Sequence, residues 1–298
     1  MKKIFSASIT PFVEDGSAVD TRSLERLIAF DIGHGIDGFF FFGSMGEWPL
    51  LSKEMRRMIL ETAVSAVDGK AEILAGVNAP GFAGIVENME AYSIYPIDAY
   101  VVQFPGGFAN PRDPVAFLHT LADISDKPIY LYYLPQVNGV RLSKEQFASL
   151  FSHPKVIGVK NSSSDQKTRK ELLILKRSMD FRLFEGQEWT VDESLALGCD
   201  GALVGMAPLG AKLFKRIASA VESGRLEEAF ELQKTMIEIF DGVYGPSLNT
   251  VWIGQKYALT LLGIFSSFTT LVPVETRISE EDKRRVEACI ERYKRFLV

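Results

Sequence analysis

Eight short β-type runs, each followed by a stretch of other character, leave this chain few ways to fold. The runs are Ile4–Thr10, Gly38–Phe42, Ile73–Val77, Ala99–Gln103, Ile129–Tyr132, Val156–Lys160, Phe181–Phe184 and Ala202–Gly205. Val156–Lys160 stays apolar where a strand with one wet face would turn polar at every second residue. It therefore suits a strand buried on both faces of a parallel sheet. Helical period appears between the runs. Thr21–Gly33 carries Leu24, Leu27, Ile28 and Ile32 on one face, and Ser52–Val67 opens on an N-cap serine before Met55, Met58, Ile59 and Ala63. Ser143–Phe151 adds Gln146 three residues after its serine, a capping-box pattern, and Asp165–Lys176 and Glu188–Leu197 follow. Eight strand–helix units predict an α/β chain folded as a (β/α)8 TIM barrel over residues 1–222. The alternative, a doubly wound open sheet, carries a Gly-x-Gly-x-x-Gly turn after its first strand. Here Thr10-Pro11-Phe12 stands in that place.

Residues 223–298 read as a C-terminal helical extension packed on the barrel, because no Pro/Gly/Ser-rich linker sets them apart. Leu226–Phe240 places Leu226, Ala229, Phe230, Met236, Ile237 and Phe240 along one face, and Asn249–Leu262 and Glu280–Phe296 follow.

Charge and cysteine usage exclude several classes of function. A net charge of -5 does not suit a protein that must neutralise a row of phosphates, so no nucleic-acid partner is expected. Cys199 and Cys289 lie far apart in the sequence and form no metal-ligand pattern, which fits a reducing compartment. His34, His119 and His153 share no ligand spacing and are expected at the surface or at caps, and no metal is expected. Met1-Lys2-Lys3 begins like a secretory leader, but the apolar stretch breaks at Ser6, Ser8, Thr10 and Pro11. No apolar run approaches a membrane span, and the expectation is a cytoplasmic protein.

In such a barrel the chemistry belongs at the C-terminal ends of the strands. Those ends carry Gly43-Ser44-Met45-Gly46-Glu47, Tyr132-Tyr133-Leu134-Pro135, Lys160, Glu185-Gly186-Gln187-Glu188 and Gly205. Burial disfavours the ammonium form of a lysine, and a neutral amine attacks carbonyls. A phenol can move protons, a hydroxyl can hold that phenol, and glycines let backbone N–H groups approach a carboxylate. Alone, each residue has an ordinary structural reading: a snorkelling Lys160, a core Tyr132, a turn at Ser44, a capping Glu47. Convergence on one mouth is what carries the chemical reading.

These residues resemble the pyruvate-dependent class I aldolases. That family includes dihydrodipicolinate synthase, N-acetylneuraminate lyase and the 2-keto-3-deoxy sugar-acid aldolases. Its pattern is Gly-[Ser/Thr]-Thr-Gly-Glu, Tyr-Asn-x-Pro and Gly-[Ile/Val]-Lys, matched here by Gly43–Glu47, Tyr132–Pro135 and Gly158-Val159-Lys160. The family's step from tyrosine to lysine is met too (160 − 132 = 28). Ala7–Phe12 and Gly198–Ala202 also look like family landmarks. The resemblance implies that Lys160 forms an imine with pyruvate, or with a 2-keto acid that releases it. It implies that Tyr132 shuttles protons, that Ser44 hydrogen-bonds the phenol, and that the Ser44 and Met45 N–H groups hold the carboxylate. Substrate contacts are expected at Gly43, Met45, Gly186, Glu188, Leu203 and Gly205. The implied reaction needs no cofactor or metal; the implied assembly is a homotetramer, a dimer of dimers.

The departures narrow the substrate. Met45 replaces a threonine that helps hold the carboxylate in the family. The arginine that follows Tyr-Asn-x-Pro in dihydrodipicolinate synthase is matched by about Val137, and Phe104-Pro105-Gly106-Gly107-Phe108 lacks the tyrosine which that synthase lends to a neighbouring subunit. Leu134–Val140 looks more like the lyase and sugar-acid branch, although Trp189 replaces the second acid of the sialic-acid lyase pattern. With Met45, Phe108 and Trp189 near the mouth, a smaller or partly apolar aldehyde is expected. The alternatives are dihydrodipicolinate synthase, a 2-keto-sugar-acid dehydratase using the same lysine and tyrosine, and a non-catalytic binder of keto acids. A phosphate-binding barrel isomerase fits poorly, because Gly205-Met206-Ala207-Pro208 makes a weak anion site.

Overall fold

The computed structural model describes all 298 residues. Its eight strands are β1 (Lys3–Ala7), β2 (Gly38–Phe41), β3 (Glu72–Gly76), β4 (Ala99–Gln103), β5 (Ile129–Tyr133), β6 (Val156–Asn161), β7 (Arg182–Glu185) and β8 (Gly201–Val204). They pair in parallel and in sequence order, and β8 returns to β1 to close the barrel. The expected (β/α)8 fold is therefore the observed one.

Strand alternation divides the apolar residues into two layers. Phe5, Phe40, Leu74, Val101, Tyr130, Phe184 and Leu203 point inward and fill the barrel as a packed core. Residues of the opposite parity, such as Ile4, Phe39, Val102, Leu131 and Val159, pack outward against the helices. Both faces are dry, which is why these strands read as nearly unbroken apolar runs.

The surrounding helices are α1 (Thr21–Gly33), α2 (Lys53–Val67), α3 (Phe82–Tyr92), α4 (Pro114–Ile124), the single turn α5 (Pro135–Asn138), α6 (Lys144–Phe151), α7 (Gln166–Leu175), α8 (Val191–Leu197) and α9 (Ala207–Glu222). The caps read from sequence form. Ser52 accepts from Met55 N at 3.1 Å, and Ser143 makes both bonds of its capping box with Gln146. The sequence pattern sets no range for α3, α4 or α9. The cap of α3 is Gly81, which offers no side-chain signal, and Gly210 breaks the period of α9. The segment at Glu188 opens as a 3-10 turn (Glu188–Thr190) before α8.

Past the barrel, α10 (Leu226–Tyr244), α11 (Val251–Leu261) and α12 (Glu280–Leu297) close over one side. The apolar face expected for α10 is only partly the buried one. Ala229, Met236 and Phe240 are buried, together with Leu232 and Ile239, but Leu226, Phe230 and Ile237 face solvent. Two apolar stripes lie side by side on this helix, and periodicity alone does not say which one packs. No helix is long and apolar enough to cross a membrane. His34 caps α1, and the His119 and His153 rings lie near the surface, tilted to each other with centres 5.2 Å apart.

Candidate active site

Parity brings the expected residues to one mouth. Tyr132 and Lys160 are register partners on β5 and β6, and both belong to the inward-facing set with Tyr130 and Gly158. Both are buried. Lys160 Nζ lies 4.3 Å from the Tyr132 ring centre and 5.4 Å from that of Phe40, so the amine sits among aromatic rings. The Tyr132 hydroxyl reaches Ser44 Oγ at 3.5 Å, a long contact of the kind that tightens when a ligand fills a site.

The turn after β2 faces this pair. Gly46 N and Glu47 N donate back to Gly43 O (3.1 Å) and Ser44 O (3.0 Å), whereas the Ser44 and Met45 N–H groups make no hydrogen bond within the chain. Two free donors on a turn that reaches Tyr132 are able to receive an anionic group. The turn is strained at both ends, since Phe42 (φ 63°) and Glu47 (φ 57°) are left-handed and neither is glycine. Its surroundings hold it in place. Asn78 Nδ2 donates to Phe42 O (3.3 Å), Thr10 Oγ1 to Gly46 O (2.9 Å) and Trp252 Nε1 to Ser44 O (3.1 Å).

Glu47 does not cap a helix. Its carboxylate turns inward to a fully buried ion pair with Lys256 of α11 and also accepts from Thr270 Oγ1 (2.9 Å) and Leu271 N (2.7 Å). Burial pushes Lys256 down to about 8 despite that partner. The C-terminal extension thus builds part of the site. Gln255 adds a bond to Gly205 O (2.9 Å), and Gln233 donates to Glu188 O (2.8 Å).

The opposite wall holds the remaining expected contacts. A Cβ on Gly186 would lie 2.0 Å from Ser162 Oγ and 3.1 Å from Lys160 Cε, so only glycine fits beside the amine. Leu203 is part of the floor, and Met45 packs over Gly205, where an added Cβ would meet Met45 Cγ at 2.8 Å. Glu188 accepts from Gly205 N at 2.6 Å, and burial raises its pKa, opposed by backbone hydrogen bonds and by Lys160. A polar cleft of about 220 Å³, lined by Asn161, Ser164, Arg169, Glu185 and Gln187, opens on the helix side of β6 and β7, away from Lys160.

Three residues named from sequence as apolar neighbours of the mouth diverge. Met45 stays in the site. Trp189 is exposed and packs edge-on against Phe240 of α10, with ring centres 5.4 Å apart, and Phe108 is fully exposed. Sequence reasoning overlooked polar residues instead: Lys256, Gln103 and Asn78. Gln103 ends β4 beside Tyr132, and its backbone N–H donates to Asn78 Oδ1 at 2.8 Å. The signal for Gln103 was its even spacing from Ala99 and Val101, which puts a carboxamide on the inward face.

Residues 1–293 match the dihydrodipicolinate synthetase family. The chain belongs to that family. It is 30% identical over 276 residues to the 4-hydroxy-tetrahydrodipicolinate synthase of Shewanella piezotolerans, covering 92% of each chain. It is 28% identical to an uncharacterized DapA-like lyase of Rhizobium meliloti, covering 87% of this chain and 86% of that one. Among solved structures, a Clostridium difficile protein crystallised with mannosamine aligns at a TM-score of 0.90 and 23% identity, covering 98% and 99% of the two chains. A prophage protein of the dihydrodipicolinic acid synthase family from E. coli K12, crystallised with pyruvate, aligns at 0.88 and 22%, covering 100% and 99%. Family members are lyases and aldolases, and this chain has their fold.

Proposed function

We propose that this chain is a class I aldolase or lyase that joins pyruvate to an aldehyde, or cleaves the corresponding 2-keto acid, through an imine on Lys160. One observation carries the reading: a buried amine and a buried phenol are register partners, facing two backbone N–H groups that have no other acceptor. The keto acid's carboxylate takes the Ser44 and Met45 N–H groups, which brings its ketone carbon to Lys160 Nζ. The amine adds to that carbon, and the carbinolamine loses water with Tyr132 carrying the proton. The resulting iminium draws electrons from the neighbouring methyl carbon, which loses a proton and becomes an enamine. The enamine carbon forms the new bond to the aldehyde carbon, and the aldehyde oxygen takes a proton to become a hydroxyl. Water then releases the product and frees Lys160. The iminium is the electron sink, so the chemistry asks for no metal or organic cofactor.

The N-acetylneuraminate lyase and 2-keto-3-deoxy sugar-acid aldolase branch is favoured for the substrate class. The names of curated relatives favour a second reading, 4-hydroxy-tetrahydrodipicolinate synthase. Against it, the exposed Val137 stands where that synthase has an arginine, and Phe108 turns to solvent where a tyrosine would be lent to a neighbour. Assaying purified protein with pyruvate and a panel of aldehydes, including aspartate semialdehyde, separates the two. Product from sugar-derived aldehydes, lost in Lys160→Ala, supports the first reading; a rate confined to aspartate semialdehyde supports the second.

A further inference from the structure

Gln103 is the last residue of β4 and shares the inward parity of Ala99 and Val101. Its register partner is Tyr132, and the partner of Tyr132 is Lys160. The carboxamide therefore stands in the reactive layer, with the phenol between it and the amine. The Asn78 bond to its backbone N–H fixes the strand end from which it projects. The residue is only 9% exposed, yet Oε1 is buried without a partner and Nε2 donates to no group of the chain. An unpaired buried amide is destabilising where an apolar side chain of similar size would not be. The mouth's other polar side chains, Ser44, Tyr132 and Lys160, face one another and leave this carboxamide without a partner, so the position calls for a ligand group. In the adjoining turn the Phe108 side chain is fully exposed, so its ring does not cover the carboxamide.

We propose that Gln103 selects the aldehyde half of the substrate by hydrogen-bonding a hydroxyl on the carbon next to the aldehyde carbon. The enzyme then favours a 2-hydroxyaldehyde over its deoxy counterpart; in cleavage, it favours a 2-keto acid with hydroxyls on C4 and C5. The inference rests on the Schiff-base reading, which places pyruvate at Lys160 and leaves the β4 side for the aldehyde. A carboxamide suits a hydroxyl because it accepts through oxygen and donates through nitrogen. Being neutral, it does not select a charged acceptor. The smaller, partly apolar aldehyde expected from Met45, Phe108 and Trp189 is thereby replaced by a small hydroxylated one.

The test measures condensation of pyruvate with glyceraldehyde and with propanal, in the wild type, Gln103→Leu and Gln103→Met. Two variants are used so that a folding failure in one does not decide the matter. The ratio of kcat/KM for glyceraldehyde over propanal is expected to fall about ten- to a hundred-fold in the variants, while the pyruvate KM and the propanal rate stay within about two-fold. A merely structural role would lower both aldehydes together, and that result overturns the inference, as does an unchanged ratio. A wild type that traps pyruvate with borohydride but prefers neither aldehyde overturns the role of Gln103 and leaves the Schiff-base reading standing. A wild type that traps no pyruvate overturns both.

Discussion

Replacing Lys256 with methionine removes one charge from an ion pair in which both side chains are fully buried. Glu47 would keep its contacts to Thr270 and Leu271 but lose its cation. Breaking a buried pair from one side costs about 3–5 kcal/mol, because the remaining charge has neither partner nor water. Set against a total stability of about 5–15 kcal/mol, that is a large fraction. At roughly 2–4 °C per kcal/mol for a chain approaching this size, the melting temperature should fall by on the order of 10 °C. Glu47→Gln combined with Lys256→Met removes both charges, and the glutamine oxygen can still accept from Leu271 N. The double variant should regain at least half of the loss, and the difference measures the coupling. Thermal unfolding followed by near-UV circular dichroism reads both numbers. Trp252 fluorescence reports on the same region, since its indole N–H holds Ser44 O. A single variant that melts within about 2 °C of wild type would refute the claim that breaking this buried pair is costly. A double variant as unstable as the single would assign the loss to packing instead of charge.

Three further outcomes are expected. Tyr132→Phe should lower kcat about a hundred-fold or more with little change in the pyruvate KM, measured in steady-state condensation, because the phenol moves protons and does not hold the carboxylate. Met45→Thr should lower the pyruvate KM about ten-fold, since a hydroxyl beside the free N–H groups adds one bond to a charged acceptor. Asp31 lies fully buried on α1, neither of its oxygens has a hydrogen-bond partner, and burial raises its carboxyl well above the usual range. Its contribution to stability is present below the unfolded value, about 4, and is lost as pH rises toward the folded value. Asp31→Asn should therefore melt higher than wild type at pH 7.5, with the gap closing near pH 4, and urea unfolding at the two pH values checks this.

The barrel was legible because each strand is dry on both faces and most of the helices between strands carry their own period. Lys160 and Tyr132 were legible for a related reason: a polar side chain at the end of an apolar run has few explanations. The rest depended on three-dimensional facts that spacing does not carry. Glu47 looked like a helix cap, and only the fold reveals that Lys256, more than 200 residues later, is its partner. Trp189 follows an inward-facing glutamate, but the 3-10 turn at Glu188 swings the indole toward Phe240. Gln103 was passed over because it ends an apolar strand whose inward parity becomes evident only once Ala99 and Val101 are seen inside the barrel. On α10, two apolar stripes competed and tertiary packing chose between them.

Borohydride reduction in the presence of pyruvate, followed by intact mass and peptide mapping, tests the central claim most directly. The account predicts one pyruvate-derived adduct per chain, located on Lys160, absent in Lys160→Ala and absent when borohydride is omitted. A well-folded wild type that gains no adduct with pyruvate, or gains it on a different lysine, would contradict it.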